Sequence, residues 1–586
     1  MAELKKTFLA GFSVLMVLLL APYYLQWIGY NDADNDAQVQ IDILEDKQNI
    51  TKELYKSNKD DFELPLATDS LLIKEQGGVS EKTFSLSTEL YETQISSVGG
   101  GSLVGFHLKN YQGNWEGSKY NDQGLVELVS YGGDRLCAPC VSYNGKAIDI
   151  PFEECRLEGG EPLWSSGQTI DLTENKESFS LVCDIAYFGS QITKKTTFYS
   201  NSFVIDHSIS AVNNNKQNHK FGLIWDKGLN QTEENVYDDV SYSGVSFSAN
   251  KEIESSSFIP QNIDDIMDSF SSIQSNIDWA AMRTKYFILA VLPKTSQEGF
   301  GQASFTGTTK SISQGLSLVP VYSLNISQRT PIAGDAVIFQ TYLGPLDIDY
   351  INELNTTLDR IMNFGWFIIQ PFSRGILWLL KSLYSLGLNY GVILILFAFL
   401  VRVVTGPLTK KSFESTQNMQ AIQPKLKKIQ DKYKSDPQKL NAEMVKLYRD
   451  NGVNPLGGCL PMLLQMPLLF SLFLVFRSTI EFRGAPFIWW IKDLSLPDTI
   501  FNLPFYIPIY GDQVAFLPLL LGISMFLTQK MSMANMNTGM GQQKYMMYFM
   551  SAFFFLIFNS FPSGLNLYYL IYNILNYLQQ KSLKKA

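Results

Sequence analysis

Residues 388–409 read LNYGVILILFAFLVRVVTGPLT, and the reading of this stretch decides the fold. Its first part, 388–404, is an apolar run broken by one arginine, Arg402, five residues before Pro407. Hydrocarbon forces backbone polar groups to bond within the segment, so such a run reads as a helix crossing a membrane. The helix is expected to end at the proline, so a rise of about 1.5 Å per residue puts Arg402 roughly 7 Å from that end, inside the inner leaflet. Two readings follow. Either Arg402 snorkels to the cytoplasmic interface, or it faces a wet cavity, because an isolated charge in hydrocarbon costs at least about 2.5 kcal/mol.

Outward from this span lie other apolar runs, at 8–28, 460–476, 514–527, 545–561 and 565–578. The first is long enough to cross a hydrocarbon core of roughly 30 Å. Lys5 and Lys6 precede it, and no small-x-small site follows cleanly, so an uncleaved anchor is preferred to a signal peptide. Several later runs fall short of the roughly 20 residues of a straight span, which implies mutual shielding or a thinned bilayer. The stretch 405–459 carries ten Lys+Arg against five Asp+Glu, and the chain ends on Lys581, Lys584 and Lys585. Both are cytoplasmic by the positive-inside rule, which requires an even number of crossings. Six transmembrane helices satisfy this, with both termini cytoplasmic and one large domain outside.

Charge separates the same parts. Residues 1–30 and 351–586 hold 24 Lys+Arg against 12 Asp+Glu, and 31–350 hold 23 against 44. The expected plan is an anchor (1–30), a polar tether (31–80), an outside β domain (81–350) and a membrane domain (351–586). From about Lys82 short alternating strands appear, at 83–90, 178–187, 195–209, 286–292 and 336–342, with turn signals such as Gly99-Gly100-Gly101. Strands without intervening helices indicate an antiparallel sandwich. Cys137, Cys140, Cys155 and Cys183 allow two disulfides, in three connectivities. Cys137 and Cys140 also have redox-motif spacing, but no βαβ pattern surrounds them, and a structural role is preferred. His107, His207 and His219 lie at no ligand spacing, so no metal site is expected.

In the membrane domain, 357–382 reads as an amphipathic helix on the outer membrane surface. Ile361, Phe364, Ile368 and Phe372 form its stripe, with Trp366 and Trp378 as anchors. The cytoplasmic segment 408–455 reads as a helical hairpin. Ile422, Leu426, Ile429 and Tyr433 form one stripe and Leu440, Met444 and Leu447 the other, with Asp436-Pro437 starting the second helix. Gln465, Tyr568, Tyr569 and Asn573 are polar groups in otherwise greasy spans and are candidates to surround Arg402.

The motif set Arg402-Val-Val-Thr-Gly-Pro407, Gln423-Pro-Lys425, Asn454-Pro-Leu-Gly-Gly-Cys459-Leu-Pro461, Gln465-Met-Pro467 and Phe561-Pro-Ser-Gly564 with Tyr568-Tyr569 runs in order over roughly 340–580. This resembles the YidC/Oxa/Alb membrane protein insertases of Gram-negative bacteria. The resemblance implies a five-helix insertase core around a hydrophilic groove, and an outside domain that is a periplasmic all-β supersandwich. It implies insertion of inner-membrane proteins, alone or with the Sec translocon, in the bacterial inner membrane. Arg402 and Gln465 would line the groove, with Tyr568 and Tyr569 touching the incoming segment and Asn573 beside them. Implied partners are nascent membrane proteins, the Sec translocon, the ribosome and membrane lipids. The Met-rich segment 531–540 would meet such partners. No cofactor, enzymatic activity or ATP step is expected, since no nucleotide motif is present. One alternative is a small-anion transporter using Arg402, though no internal repeat accompanies it. Another is a tethered sugar-processing enzyme, for which three scattered histidines give little support.

Overall fold

Period-two alternation becomes strand where it is cleanest. In Ser178–Tyr187 the side chains of Phe179, Leu181, Cys183 and Ile185 point inward, and the strand pairs antiparallel with Ser190–Tyr199 over its full length. The computed structural model describes residues 80–585 except 114–118, 121–123, 131–136, 159–167, 173–176, 214–219, 273–276, 295–301, 313–316, 330–335, 435, 454–459, 508–509 and 534–551. The expected anchor and tether, His219, and most of the Met-rich segment lie outside the described residues.

Among the described residues, three sheets form the outside domain. A nine-stranded sheet runs Glu252–Ser256, Gly244–Ala249, Ile277–Arg283, Phe287–Pro293, Val337–Pro345, Val204–Asn213, Ser190–Tyr199, Ser178–Tyr187 and Glu154–Leu157. Two six-stranded sheets accompany it, and between them the three sheets bury Trp279 of the nine-stranded sheet and Trp225 and Tyr91 of the smaller ones almost completely. Each such large side chain contributes roughly 1.5–3 kcal/mol of burial free energy. The strand expected at 195–209 is two strands, broken by a turn at residues 200–203. Gly99, Gly100 and Gly101 all have positive φ, and a Cβ on Gly99 would lie 2.4 Å from Cys140 Sγ. The glycines are therefore required by both backbone and space. Cys137 is joined to Cys140, and Cys155 to Cys183, its direct cross-strand neighbour. Cys140 begins the strand Cys140–Tyr143, so no helix N-terminus is there to activate its thiol.

Lys194 points into this core beside the buried His207 and donates to the carbonyls of Pro139 (2.8 Å) and Gly99 (3.3 Å). Burial pushes its ammonium down to about 7 from 10.5. Between these values the unfolded chain holds a proton that the folded chain does not, so this lysine makes stability rise with pH from about 7 to about 10.5. Below that window both states are protonated and the contribution is flat. Lys194→Met should flatten the rise, measured as the thermal midpoint of the detergent-solubilised chain at pH 6.5, 8 and 9.5 set against the parent. Parallel curves would remove this assignment.

Residues 80–423 and 451–586 make one compact unit, and 424–450 belong to a second. The helical part comprises α1 (Gln370–Tyr384), α2 (Tyr390–Lys432), α3 (Pro437–Asp450), α4 (Leu460–Ser478), α5 (Phe516–Met533) and α6 (Ser563–Lys585), with a further helical turn at 552–558. Only one described helix, at Tyr390–Met419, is both long and apolar enough to cross a membrane, and Met466–Ser478 and Phe516–Lys530 are shorter apolar helices.

Four expectations change here. The surface helix begins at Gln370 rather than 357, because Gly365 adopts a φ of +87° and Pro371 occupies the first turn, where its missing N–H costs nothing. Its buried face is Ser373, Ile376, Leu377 and Leu380, while Ile368 and Phe372 are exposed. Pro407 does not end the span: α2 continues to Lys432, so the first hairpin helix is an extension of the membrane helix. Pro407 withholds its N–H from Val403 O, and nearby Thr405 donates to Val401 O (2.8 Å) and Gln579 to Gly406 O (3.3 Å). Finally, Val514 lies in a β-hairpin, Thr499–Ile507 with Gly511–Ala515, and α5 starts only at Phe516. Within the second unit, Asp436 accepts from Lys439 N (3.1 Å) at the start of α3, whose Leu440, Met444 and Leu447 are half-buried.

The sheets and helices of the first unit are tied by ions. Arg477, ending α4, meets Asp238 at 2.9 Å, and Asp238 also receives Lys285 at 2.7 Å. Arg483 meets Glu233 at 2.7 Å with both side chains buried. Lys381 of α1 reaches Asp347, Asp349 and Glu481 within 3.1 Å.

Candidate functional site

The exposed stripe of α2 is Val392, Leu396, Phe399, Leu400, Val403 and Val404, and the opposite stripe, Ile393, Leu394, Phe397, Ala398 and Val401, is buried. A helix that is apolar on both sides suits a bundle packed on one face and covered by lipid on the other. Arg402 belongs to the packed side, at 7 % exposure, and does not extend toward solvent.

Three groups hold its guanidinium. It donates to Thr409 Oγ1 at 3.3 Å, two turns further along α2, and to Oε1 of Gln579 on α6. Its centre lies 5.7 Å from the Tyr572 ring, a cation–π contact that the low-dielectric surroundings strengthen. Tyr572 OH stands 3.5 Å from Thr405 Oγ1. The Nε of Arg402 has no hydrogen-bond partner among the described residues. All the partners are neutral, so none cancels the charge. A full positive charge is thus held in a buried, polar-lined position between two helices, with a donor left over.

The remaining candidates are placed as follows. Tyr568 and Tyr569 are buried in an aromatic cluster with Phe397, Phe558 and Tyr572, and their hydroxyls lack hydrogen-bond partners among the described residues. Neither faces outward, because one turn of α6 separates Tyr568 from Tyr572 and the ring stack fills the space between α6 and α2. Asn573 is half-buried. Gln465 lies on α4, with its side chain outside the described residues. The residues missed by sequence reasoning are Thr405, Thr409, Tyr572 and Gln579. Their signal was a shared helical stripe: 572 and 579 are two turns apart on α6, as 402 and 409 are on α2. His107 and His207 are both buried in the outside domain.

Comparison with known proteins agrees with this architecture. Residues 382–586 match the family model described as 60Kd inner membrane protein, and residues 83–379 match the YidC periplasmic domain. The chain is 33 % identical over 516 residues to the membrane protein insertase YidC of Chlorobaculum tepidum, covering 86 % of this chain and 81 % of that one. It is 34 % identical over 519 residues to the YidC insertase of Chlorobium phaeovibrioides, covering 84 % and 82 %. Among solved structures, an active YidC insertase with its first transmembrane domain resolved aligns over 86 % of this chain and 92 % of that one, with a TM-score of 0.33 and 18 % identity. On the family models and the curated relatives, this chain belongs to the YidC family of membrane protein insertases.

Proposed function

We propose that Arg402, with Thr405, Thr409, Tyr572 and Gln579, is the polar station at which this insertase receives the hydrophilic end of a substrate. The observation that carries it is the buried guanidinium bonded only to neutral groups. A short acidic tail meets an attractive charge at this point instead of bare hydrocarbon. Partitioning of the substrate's apolar segment into lipid then drives insertion at roughly 25 cal/mol per Å² of apolar area. Insertion is not an enzymatic reaction, and the small-anion transporter alternative has no support from the family. Gln465 and Asn573 belong to this reading as further groove residues. Tyr568 and Tyr569, like Tyr572 and Arg402 of the station itself, would meet a substrate only once α2 and α6 part, because all four are now packed between the helices.

The same reading keeps six crossings, cytoplasmic termini, the supersandwich description of the periplasmic domain, and disulfides at Cys137–Cys140 and Cys155–Cys183 suited to an oxidising compartment. It also keeps the domain limits 1–30, 31–80, 81–350 and 351–586, and the ribosome and the Sec translocon as partners beside nascent membrane proteins. The charge arithmetic and the basic stretch 405–459 support it. A photocrosslinker at 405 or 572 should capture a stalled nascent membrane protein, and one at Tyr237 of the outside domain should not. Normal insertion without capture at 405 or 572 would overturn the proposal.

A further inference from the structure

A second polar site opens where the outside domain gives way to α1. A cavity of about 650 Å³ is lined by Asp359, Arg360, Asn363, Phe364, Gln370 and Arg374, among others. Arg374 is held in place, donating to Asp359 at 2.6 Å with its guanidinium 5.8 Å from the Phe364 ring, yet its side chain is 44 % exposed. Arg360 is exposed and donates to Lys251 O at 3.3 Å. The lining therefore holds two guanidinium groups against one carboxylate, and that carboxylate already serves Arg374. Along the same stretch Phe367 is 81 % exposed and Trp378 69 %, with Trp366, Ile368 and Phe372 also uncovered.

We propose that this cavity binds the headgroup phosphate of an anionic phospholipid, whose acyl chains lie along Phe367, Phe372 and Trp378. The inference rests on the reading of α1 as a helix at the outer membrane surface. Charge complementarity selects the headgroup, since planar guanidinium forks match phosphate oxygens. The single carboxylate in the lining is paired with Arg374, so no free carboxylate there attracts the ammonium of a zwitterionic lipid. A dissolved anion would satisfy the arginines and leave the adjoining apolar patch in water. A lipid satisfies both, and tryptophan at the boundary is where amphipathic rings settle.

The test uses the full chain in lipid nanodiscs and has two readouts. Native mass spectrometry counts phosphatidylglycerol and phosphatidylethanolamine retained on the released protein. Quenching by brominated acyl chains, taken as the difference between the parent and Trp378→Phe, reports whether Trp378 meets lipid. The parent should retain phosphatidylglycerol preferentially, and Arg360→Gln should cut that preference about tenfold, the effect of one lost charge-assisted hydrogen bond. Trp378 quenching should persist in Arg360→Gln. Equal retention of the two lipids with Trp378 still quenched would overturn the headgroup site and leave the helix placement standing. Absence of quenching would overturn the placement and the lipid site together.

Discussion

Arg483→Ala should destabilise the chain by about 3–5 kcal/mol, the cost of breaking a buried ion pair from one side. The Arg483 and Glu233 side chains are only 2 % and 3 % exposed and meet at 2.7 Å. The guanidinium also donates to Gln112 O (2.7 Å) and Thr232 O (3.2 Å), so its removal strips three oxygens at once. Thr232 Oγ1 donates to Glu233 as well, but a neutral hydroxyl does not balance the carboxylate charge, and water cannot replace the arginine without opening the seam. The partly exposed Arg477–Asp238 pair, at 33 % and 20 %, should cost much less when cut, because solvent screens it. Thermal midpoints in detergent measure both variants, and the double variant Arg483→Met with Glu233→Leu provides the control. Replacing the whole pair with apolar groups should recover most of the loss. If Arg483→Ala leaves the midpoint unchanged, the seam between sheets and helices is not held by this pair.

That seam also marks where sequence reading stops. Ser178–Tyr187 was legible to the residue, because alternation reports which face is buried. The surface helix was legible in kind but not in extent. A stripe of apolar residues continued through Gly365, and only the positive φ there shows that the backbone turns before Pro371. Pro407 misled in the opposite direction, since the helix runs on through it to Lys432 despite the N–H it withholds from Val403 O. Contacts such as Arg483–Glu233 join residues 250 positions apart and leave no local pattern. The same limit governed the candidate site. Arg402 stood out because a charge in an apolar run needs a reason. Its partners on α6 depend on how that helix is rotated, and the rotation puts Tyr572 and Gln579, not Tyr569 and Asn573, against the guanidinium.

Arg402→Ala should lower insertion of substrates with acidic tails by roughly ten- to a hundredfold, and leave neutral-tailed substrates far less affected. The range corresponds to the roughly 1.5–3 kcal/mol of a charge-assisted hydrogen bond, read as a barrier. Arg402→Lys should retain part of the activity, since the charge survives but the forked geometry does not. Arg402→Glu should be the most defective on acidic tails, where attraction becomes repulsion. A structural explanation competes, because Arg402 also ties α2 to α6 through Gln579. Gln579→Glu separates the two: it keeps the tie to Arg402, now as an ion pair that offsets the guanidinium charge, and gives up only the longer bond to Gly406 O. If charge is what matters, Gln579→Glu should depress acidic-tail insertion nearly as far as Arg402→Ala, while costing no more stability than the about 1 kcal/mol of the lost Gly406 bond. If the tie is what matters, Gln579→Glu should insert normally and Gln579→Leu should fail on both kinds of tail. Equal behaviour of Ala, Lys and Glu at position 402 on acidic tails would rule out the electrostatic role, leaving Arg402 as a packing element of the bundle.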